Sequence, residues 1–365
     1  MKPENRPVIL LNPGPVTISQ RVRASLARED LCHREPEFAA LTLDIKKRIG
    51  NVYEGCAADY EAALASGSGT CAVEAMLQSL APRSGKTLVV ANGVYGERMA
   101  SMLEAQGKPF TLIKGGWPEP VNIAAAEEEL KKDGCLTHVA AIHHETTTGR
   151  LNDCAALGQL CGKYGKGFFV DAVSSFAGEE IRFADWNVTA LAATANKCVH
   201  GIPGICFVLA RRDLMETGKT QASSLYLDLY KMYKEQKSGF SPFTQATHAC
   251  VALREALEEL EDQGGWKSRR ARYLAISRRL RQEFAAMGIE RFLPEEAYAS
   301  YMSSFKLPEG KTYGELHDIL KEEGFVIYAG QGGLYHSIFR IANMGDILDS
   351  DVDRLIGVFK TVMKG

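Results

Sequence analysis

Asp171 and Lys197 are the residues of this 365-residue chain whose types and setting best support chemistry. Asp171 closes the apolar run Gly167-Phe168-Phe169-Val170. Lys197 stands alone in a nearly uncharged loop, with Ala192-Ala193-Thr194-Ala195-Asn196 before it and Cys198 to Gly204 after it. A lysine with no charged neighbours along the chain reads as buried, and burial lowers an amine's pKa until it can act as nucleophile or base. These two residue types are what pyridoxal phosphate requires: an amine that condenses with its aldehyde, and a carboxylate that keeps the pyridine nitrogen protonated as an electron sink. The stretch between them has room for a short helix, a turn and one more strand, Leu191 to Thr194, so both side chains reach one cleft at a sheet edge. The plain alternatives are a helix cap for Asp171 and a solvated surface position for Lys197.

Other segments supply what such a site needs besides. Ala65-Ser66-Gly67-Ser68-Gly69-Thr70 is small and hydroxylated, and a helix follows with Val73, Met76, Leu77 and Leu80 on one face. A glycine-containing loop that opens a helix presents free N–H groups and the positive end of the helix dipole, a setting for phosphate at Ser68, Gly69 and Thr70. Gly67-Ser68-Gly69-Thr70-Cys71-Ala72 also imitates a dinucleotide fingerprint, but the next strand, Thr87 to Val90, ends in Ala91-Asn92-Gly93 without the acid that holds a ribose. Gly85-Lys86-Thr87 imitates a P-loop, yet Leu80 replaces its first glycine and a strand follows. Tyr95, between Gly93 and Gly96, suits stacking on a flat ring, or equally a half-buried cover for a helix end. His144-Glu145-Thr146-Thr147-Thr148-Gly149 is a polar cluster at a strand's carboxyl end, where open α/β sheets bind ligands, although its threonines also suit a helix cap. His143 and His144 are adjacent and point to opposite faces of a strand, so no metal site is expected. Arg340 stands alone in the apolar run Ile338-Phe339-Arg340-Ile341-Ala342. It must pair with an internal carboxylate or grip the carboxylate or phosphonate of a substrate.

The elements that position these residues alternate. Strands at Thr87–Val90, Phe110–Ile113, His138–His143 and Gly167–Val170 interleave with helices at Arg98–Ala105, Ala124–Lys131 and Asp153–Tyr164, which predicts an α/β fold with a mainly parallel sheet flanked by helices. Ile205 to Ala210 follows Lys197 so closely that it is expected to run antiparallel to its neighbour. Arg211 to Phe240, polar and tyrosine-rich, is expected on the surface or at a subunit contact. Long helical patterns at Thr244–Leu260 and Trp266–Met287 are separated by Gly264-Gly265. Beyond them, strands at Met302–Lys306, Phe325–Tyr328 and Ser337–Ala342 with helices at Tyr313–Glu323 and Ser350–Met363 predict a small α+β domain. The expected plan is an N-terminal segment 1–15 against the small domain and the active site, a large domain 16–262, and a small C-terminal domain 263–365.

Composition sets the boundaries of function. Lys and Arg number 43 against 45 Asp and Glu, for a net charge of −2, so no global field favours nucleic acid. Nine cysteines without CxxC pairs, and no secretory leader, predict reduced thiols in a cytoplasmic protein. No apolar run approaches the ~18 residues of a membrane span.

The ordered set of segments resembles one family. Pro13-Gly14-Pro15, Cys32-His33-Arg34-Glu35, the stretch from Gly67 to Glu74, Asn92 to Gly96, Glu145 to Gly149, Asp171 to Phe176, Ala195 to Cys198, Gly201 to Gly204, Phe243 to His248 and Phe339 to Gly345 together are similar to the fold type I pyridoxal phosphate aminotransferases of the alanine–glyoxylate (class V) branch, and within it to members that act on aminophosphonates. The resemblance implies Lys197 as the residue joined to the cofactor and as proton shuttle, with Asp171 on the pyridine nitrogen. It further implies Ser68, Gly69 and Thr70 on the phosphate, Thr244 reaching it from the second subunit of a homodimer, Tyr95 stacked on the ring, Thr146 on the ring's 3′ oxygen, and Arg340 on the acidic end of the substrate. Tyr95 replaces the tryptophan of many relatives, a change of degree. The implied activity is ping-pong transamination between a small aminophosphonate and pyruvate, a 2-oxo acid; the alternative is an alanine- or serine–glyoxylate exchange of the same branch. Cysteine desulfuration is disfavoured because no cysteine follows Cys250.

Overall fold

Both faces of the strand Gly167–Asp171 are covered, which is why its sequence runs apolar without alternation. The computed structural model describes residues 7–363, so the first six residues of the expected N-terminal segment lie outside the described residues. In chain order the strands are β1 (Ile9–Leu10), β2 (Tyr60–Gly67), β3 (Lys86–Ala91), β4 (Phe110–Lys114), β5 (Leu136–Ile142), β6 (His144–Glu145) and β7 (Arg150–Leu151). There follow β8 (Gly167–Asp171), β9 (Val188–Thr194), β10 (Gly204–Arg211), β11 (Met302–Lys306), β12 (Phe325–Val326), β13 (Tyr328–Ala329) and β14 (Ile338–Ala342).

The main sheet has seven strands in the order β2-β10-β9-β8-β5-β3-β4. From β9 to β4 all neighbours are parallel, and β10 runs antiparallel to both β2 and β9. The antiparallel strand expected after Lys197 is therefore present. Because a strand's side chains alternate, the sheet divides the core in two. Phe168, Val170, Leu191, Ala193 and Phe207 join one cluster with Phe38, Ile45, Leu157, Leu253 and Leu257 from the helices Pro36–Gly50, Cys154–Lys163 and Thr247–Asp262. Phe169, Ala190, Ala192, Cys206 and Val208 join the other, with Met76 and Leu77 of the helix Gly69–Leu80 and Met99 and Leu103 of the helix Val94–Ala105. Asp171 falls two places after Phe169 and so points to this second face, toward the two helices whose first turns hold Thr70 and Tyr95.

A second, three-stranded antiparallel sheet, β11-β14-β13, carries Arg340 in its middle strand. It packs on the helices Gly265–Ala286, Tyr313–Glu322 and Asp349–Val362 through an aromatic cluster, with Phe284 rings 4.8 Å from Phe305 and 4.3 Å from Phe359. β1 adds to this region by pairing in parallel with β12.

Several details depart from expectation, each for a physical reason. β2, to which no element is assigned from the sequence, is an alanine-rich strand of low intrinsic propensity, held by an eight-position ladder with β10. The short helix expected after Asp171 is a series of turns, in which Ala172 O accepts from both Ser175 N and Phe176 N. Ala177 there takes a left-handed φ of 67° and donates its N–H to the Tyr53 hydroxyl at 2.9 Å. The threonines before Gly149 do not cap the next helix; Asp153 does, accepting from Ala156 N at 2.9 Å. The strand expected over Phe325–Tyr328 is split, β12 pairing with β1 and β13 with β14. Within the polar stretch 211–240, Leu229, Met232 and Tyr233 of the helix Leu229–Gln236 are buried against the main sheet.

Candidate active site

The segments that leave the carboxyl ends of β2, β3, β5, β8 and β9 all start from one edge of the main sheet, because β2 runs parallel to β9 with the antiparallel β10 between them. They carry Ser68–Thr70, Tyr95, Glu145–Thr146, Asp171 and Lys197 in turn. β14 of the second sheet brings Arg340 to the same place: its Nη1 donates to the Thr146 carbonyl at 2.6 Å. The Arg340–Thr146 bond alone joins residues 194 positions apart.

Lys197 is closely fitted. Its amine donates to the Pro13 carbonyl. A Cβ added to Gly14, whose φ is +103°, would stand 2.5 Å from Lys197 Nζ, so only glycine lets the N-terminal Pro-Gly-Pro turn pass over the lysine. Burial pulls the Lys197 pKa down to about 8, against smaller upward pulls from Cys198 and Asp171. In the cofactor-free protein the rate of Lys197 modification by an amine-selective reagent should therefore rise with a midpoint near pH 8, about two units below a surface lysine. Peptide mapping over a pH series measures it, and a midpoint near 10 would contradict a buried amine.

Asp171 is buried and accepts the Val173 N–H at 3.0 Å. Burial raises its pKa to about 7; Glu145 adds to the rise, while Arg98 and Lys197 oppose it. No cationic side chain bonds to this carboxylate among the described residues, so it retains acceptor capacity for a protonated ring nitrogen. A cavity of about 30 Å³ lies beside it, lined by Thr70, Tyr95, Arg98, Asp171 and Val173 among others. The Arg98 guanidinium lies 4.6 Å from the Tyr95 ring centroid and covers one face of it. A second planar group would use the other face.

At the helix Gly69–Leu80, Ser68 is the N-cap residue, but its side chain makes no capping bond and stays exposed. Gly69 is buried, and the half-buried Thr70 hydroxyl faces Arg98 Nη1 at 3.4 Å. This hydroxyl-bearing first turn is free to hold a phosphate. Thr146 is buried. Thr244 is exposed and bonds to none of the other candidates among the described residues. Ser66 ties its segment alongside β2, accepting from Ala246 N at 2.9 Å.

Arg340 is buried and held by neutral groups. Nε donates to Ala329 O at 2.8 Å, and Nη1 to Thr146 O and, at 3.4 Å, to Gln331 Oε1. No carboxylate pairs with it among the described residues, which removes the internal ion pair as the reason for its presence. A buried guanidinium without a counter-anion is costly, and an anionic ligand offsets that cost.

Glu145 has a larger part than its sequence suggested. Its buried carboxylate accepts from Tyr95 N and Gly96 N, both at 3.2 Å, and from Thr147 N at 3.0 Å and the Thr147 hydroxyl at 2.6 Å. It caps the helix Val94–Ala105 from another strand and thereby ties the Tyr95 loop to Thr146. A Cβ on Gly93 would meet Glu145 Cδ at 2.3 Å, which explains the first glycine of Gly93-Val94-Tyr95-Gly96. Glu145→Ala strands these donors in the interior and is expected to cost about 3 kcal/mol, read as a lower denaturation midpoint. Arg98 was legible in principle, since three residues after Tyr95 it shares a helix face with it. The Pro13 carbonyl and Gln331 carry no sequence signal of their own.

The chain as a whole is similar to known proteins. The family model for class-V aminotransferases matches residues 19–345. The chain is 38% identical over 359 residues to a 2-aminoethylphosphonate–pyruvate transaminase of Bacillus cytotoxicus, covering 97% of each chain. It is likewise 38% identical to the enzyme of that name from Syntrophobacter fumaroxidans, covering 99% of this chain and 97% of the relative. Among solved structures, an aspartate aminotransferase of Thermus thermophilus superposes with a TM-score of 0.88 at 25% identity, covering 98% of this chain and 99% of that one. An alanine–glyoxylate aminotransferase of Nostoc shares the fold with a TM-score of 0.90 at 24% identity, covering 100% of this chain and 97% of that one.

Proposed function

Since the chain belongs to the class-V aminotransferase family, we propose that it transfers the amino group of 2-aminoethylphosphonate to pyruvate, releasing phosphonoacetaldehyde and L-alanine. The observation that carries this reading is Arg340, a buried guanidinium bonded only to carbonyl and amide oxygens among the described residues and set beside the Lys197 cleft. A small substrate with an anionic end completes it, and both the aminophosphonate and pyruvate are of that kind.

The residues fit pyridoxal phosphate as resident cofactor. When bound, it supplies a carbonyl carbon that takes up the amino group and a ring that accepts an electron pair. The chain's residues do the rest. Lys197, its pKa drawn down to about 8, is partly neutral near pH 8; it would hold the cofactor through its amine and would move the proton at the substrate carbon bearing nitrogen. Asp171 holds a proton on the ring nitrogen by presenting a buried carboxylate to it. Ser68, Gly69 and Thr70 would hold the phosphate at a helix N-terminus, Thr146 would bond the ring's 3′ oxygen, and Tyr95 would stack on the ring. Arg340 fixes the anionic end so that the amine faces Lys197. Pyruvate, held by the same arginine, then takes up the amino group in the second half of a ping-pong cycle.

We read Thr244 as reaching the phosphate site of a second copy in a homodimer. Its exposure supports this, as do the exposed Leu225 and the half-exposed Tyr226, whose ring lies 5.1 Å from Phe243. Residues 263–365, with their own aromatic cluster, form the small domain in this reading, and the segment up to residue 15 links it to the site through β1 and Pro13. Among the described residues no helix is long and apolar enough to cross a membrane; a cytoplasmic location completes the proposal.

Half-reactions test it. Adding 2-aminoethylphosphonate without acceptor should bleach the cofactor absorbance and release phosphonoacetaldehyde, and pyruvate should restore the colour. Bleaching by serine but not by the phosphonate would assign the chain to the glyoxylate-type exchange instead.

A further inference from the structure

Arg340 alone does not distinguish a phosphonate from a carboxylate, and its hydrogen bonds show what stands beside it. Nε is committed to Ala329 O, and Nη1 to Thr146 O and Gln331 Oε1. Nη2 has no partner among the described residues. The usual side-on grip, two parallel N–H bonds to one anion, is therefore partly occupied by protein oxygens, and the free part of the fork is Nη2. An anion there has unfilled lone pairs and needs a second donor.

Gln331 supplies one. It lies in the Gly330-Gln331-Gly332-Gly333 turn between β13 and β14 and is half-buried. Arg340 only donates, so the amide oxygen is the end that faces it, at 3.4 Å. The Thr147 hydroxyl also lies 3.4 Å from that oxygen. The hydroxyl's one proton goes to Glu145, so Arg340 is what orients the amide: with Oε1 turned to the guanidinium, the nitrogen points away from it, and its two hydrogens have no protein partner among the described residues. The turn is backed by Trp117, whose ring edge lies 3.0 Å from where a Cβ on Gly332 would be. Gln331 thus offers a neutral donor next to a partly free cation.

We infer that Gln331 is a specificity-determining residue for the acidic end of the donor, giving its amide N–H to a phosphonate oxygen while Arg340 Nη2 holds another. This rests on the reading of Arg340 as the anion fork. A tetrahedral phosphonate has three oxygens in three directions and can meet both donors at once. A planar carboxylate has two oxygens on a shorter reach, and gains less from the second donor. A neutral amide adds a hydrogen bond without a second positive charge, which would hold any anion more tightly, carboxylate and phosphonate alike.

Ethylphosphonate and propionate have the two acidic ends but no amine, so they bind without reacting, and calorimetric titration of the holoenzyme reads binding alone. Gln331→Ala should weaken ethylphosphonate about tenfold or more and propionate about threefold or less, and kcat/KM for 2-aminoethylphosphonate should fall by the ethylphosphonate factor, mainly through KM. Gln331→Glu keeps an oxygen toward Arg340 but turns the donor into a competing anion, so it should weaken ethylphosphonate further than the alanine variant. Equal losses for the two ligands, or ethylphosphonate affinity unchanged in Gln331→Ala, would overturn the role of Gln331 while leaving the proposed reaction intact. Failure of the unaltered enzyme to bind ethylphosphonate would overturn the donor assignment and this inference together.

Discussion

Lys197→Ala is expected to lower turnover by about 10⁴-fold or more, because one side chain is both the attachment point and the proton carrier. Burial and surroundings support both roles. Pro13 and Gly14 close over the amine, and burial brings its pKa to about 8, so that a neutral fraction exists near physiological pH. The same shift makes a second, opposite expectation for stability. The folded-state pKa lies below the unfolded value near 10.5, so the cost of burying the charged amine is fully present below about pH 8 and disappears as pH rises through 8 to 10.5. In the cofactor-free protein at pH 7, Lys197→Ala should thus be more stable than the unaltered chain by about 1–2 kcal/mol, part of the relief being lost to the space left beside Gly14. Turnover assays and chemical denaturation of the same two preparations check both halves. Retention of turnover would reject Lys197 as the working amine, and a loss of stability would reject an uncompensated buried charge.

Asp171→Asn is expected to lower turnover by about 10³-fold while leaving the fold intact, since asparagine has the same shape but cannot hold a proton on a cationic partner through charge. The surroundings of Asp171 are poorly suited to its charge. Burial raises its pKa to about 7 and Glu145 raises it further, while the Val173 N–H, Arg98 and Lys197 counter only part of this. The stability consequence has the opposite pH sense from that of Lys197. The cost is absent below the unfolded pKa near 3.8, grows as pH rises to about 7 and is constant above. The stability of Asp171→Asn relative to the unaltered chain should therefore climb between pH 4 and 7 in cofactor-free protein, and a cationic ring bound against Asp171 should reduce that difference. A flat difference across the window would show that the carboxylate is already compensated by the protein.

These opposed costs describe a site built for a partner. A buried acid held near neutrality, a buried amine held near 8 and a buried guanidinium without a carboxylate partner among the described residues are each unfavourable in isolation. The chain tolerates them because two apolar sheet faces and the aromatic cluster of the second sheet supply the surplus stability.

Much of the plan was legible along the chain. The alternation of apolar strands and amphipathic helices predicts the parallel sheet, and the close spacing of Lys197 and Ile205 predicts the reversal at β10. Where local patterns were silent or misled, tertiary contacts decided. β2 is a strand because β10 lies beside it, although alanines favour other structures. The stretch after Asp171 forms turns and not a helix, and the Tyr53 hydroxyl accepts from Ala177 N within them.

The sequence by itself determined the chemical identities: a lone lysine in an uncharged loop, an acid ending an apolar strand, a hydroxylated loop opening a helix, and an arginine inside a strand. Such features are local, and hydrophobic period and neighbouring charge are written into adjacent residues. Only the tertiary structure decided the partners. That Glu145 caps the Tyr95 helix, that Pro13 lies on Lys197, and that Arg340 rests on Ala329, Thr146 and Gln331 instead of a carboxylate depend on contacts between distant segments. Close packing fixes which polar atoms meet, and no short-range pattern encodes which of many buried donors is left without a protein acceptor.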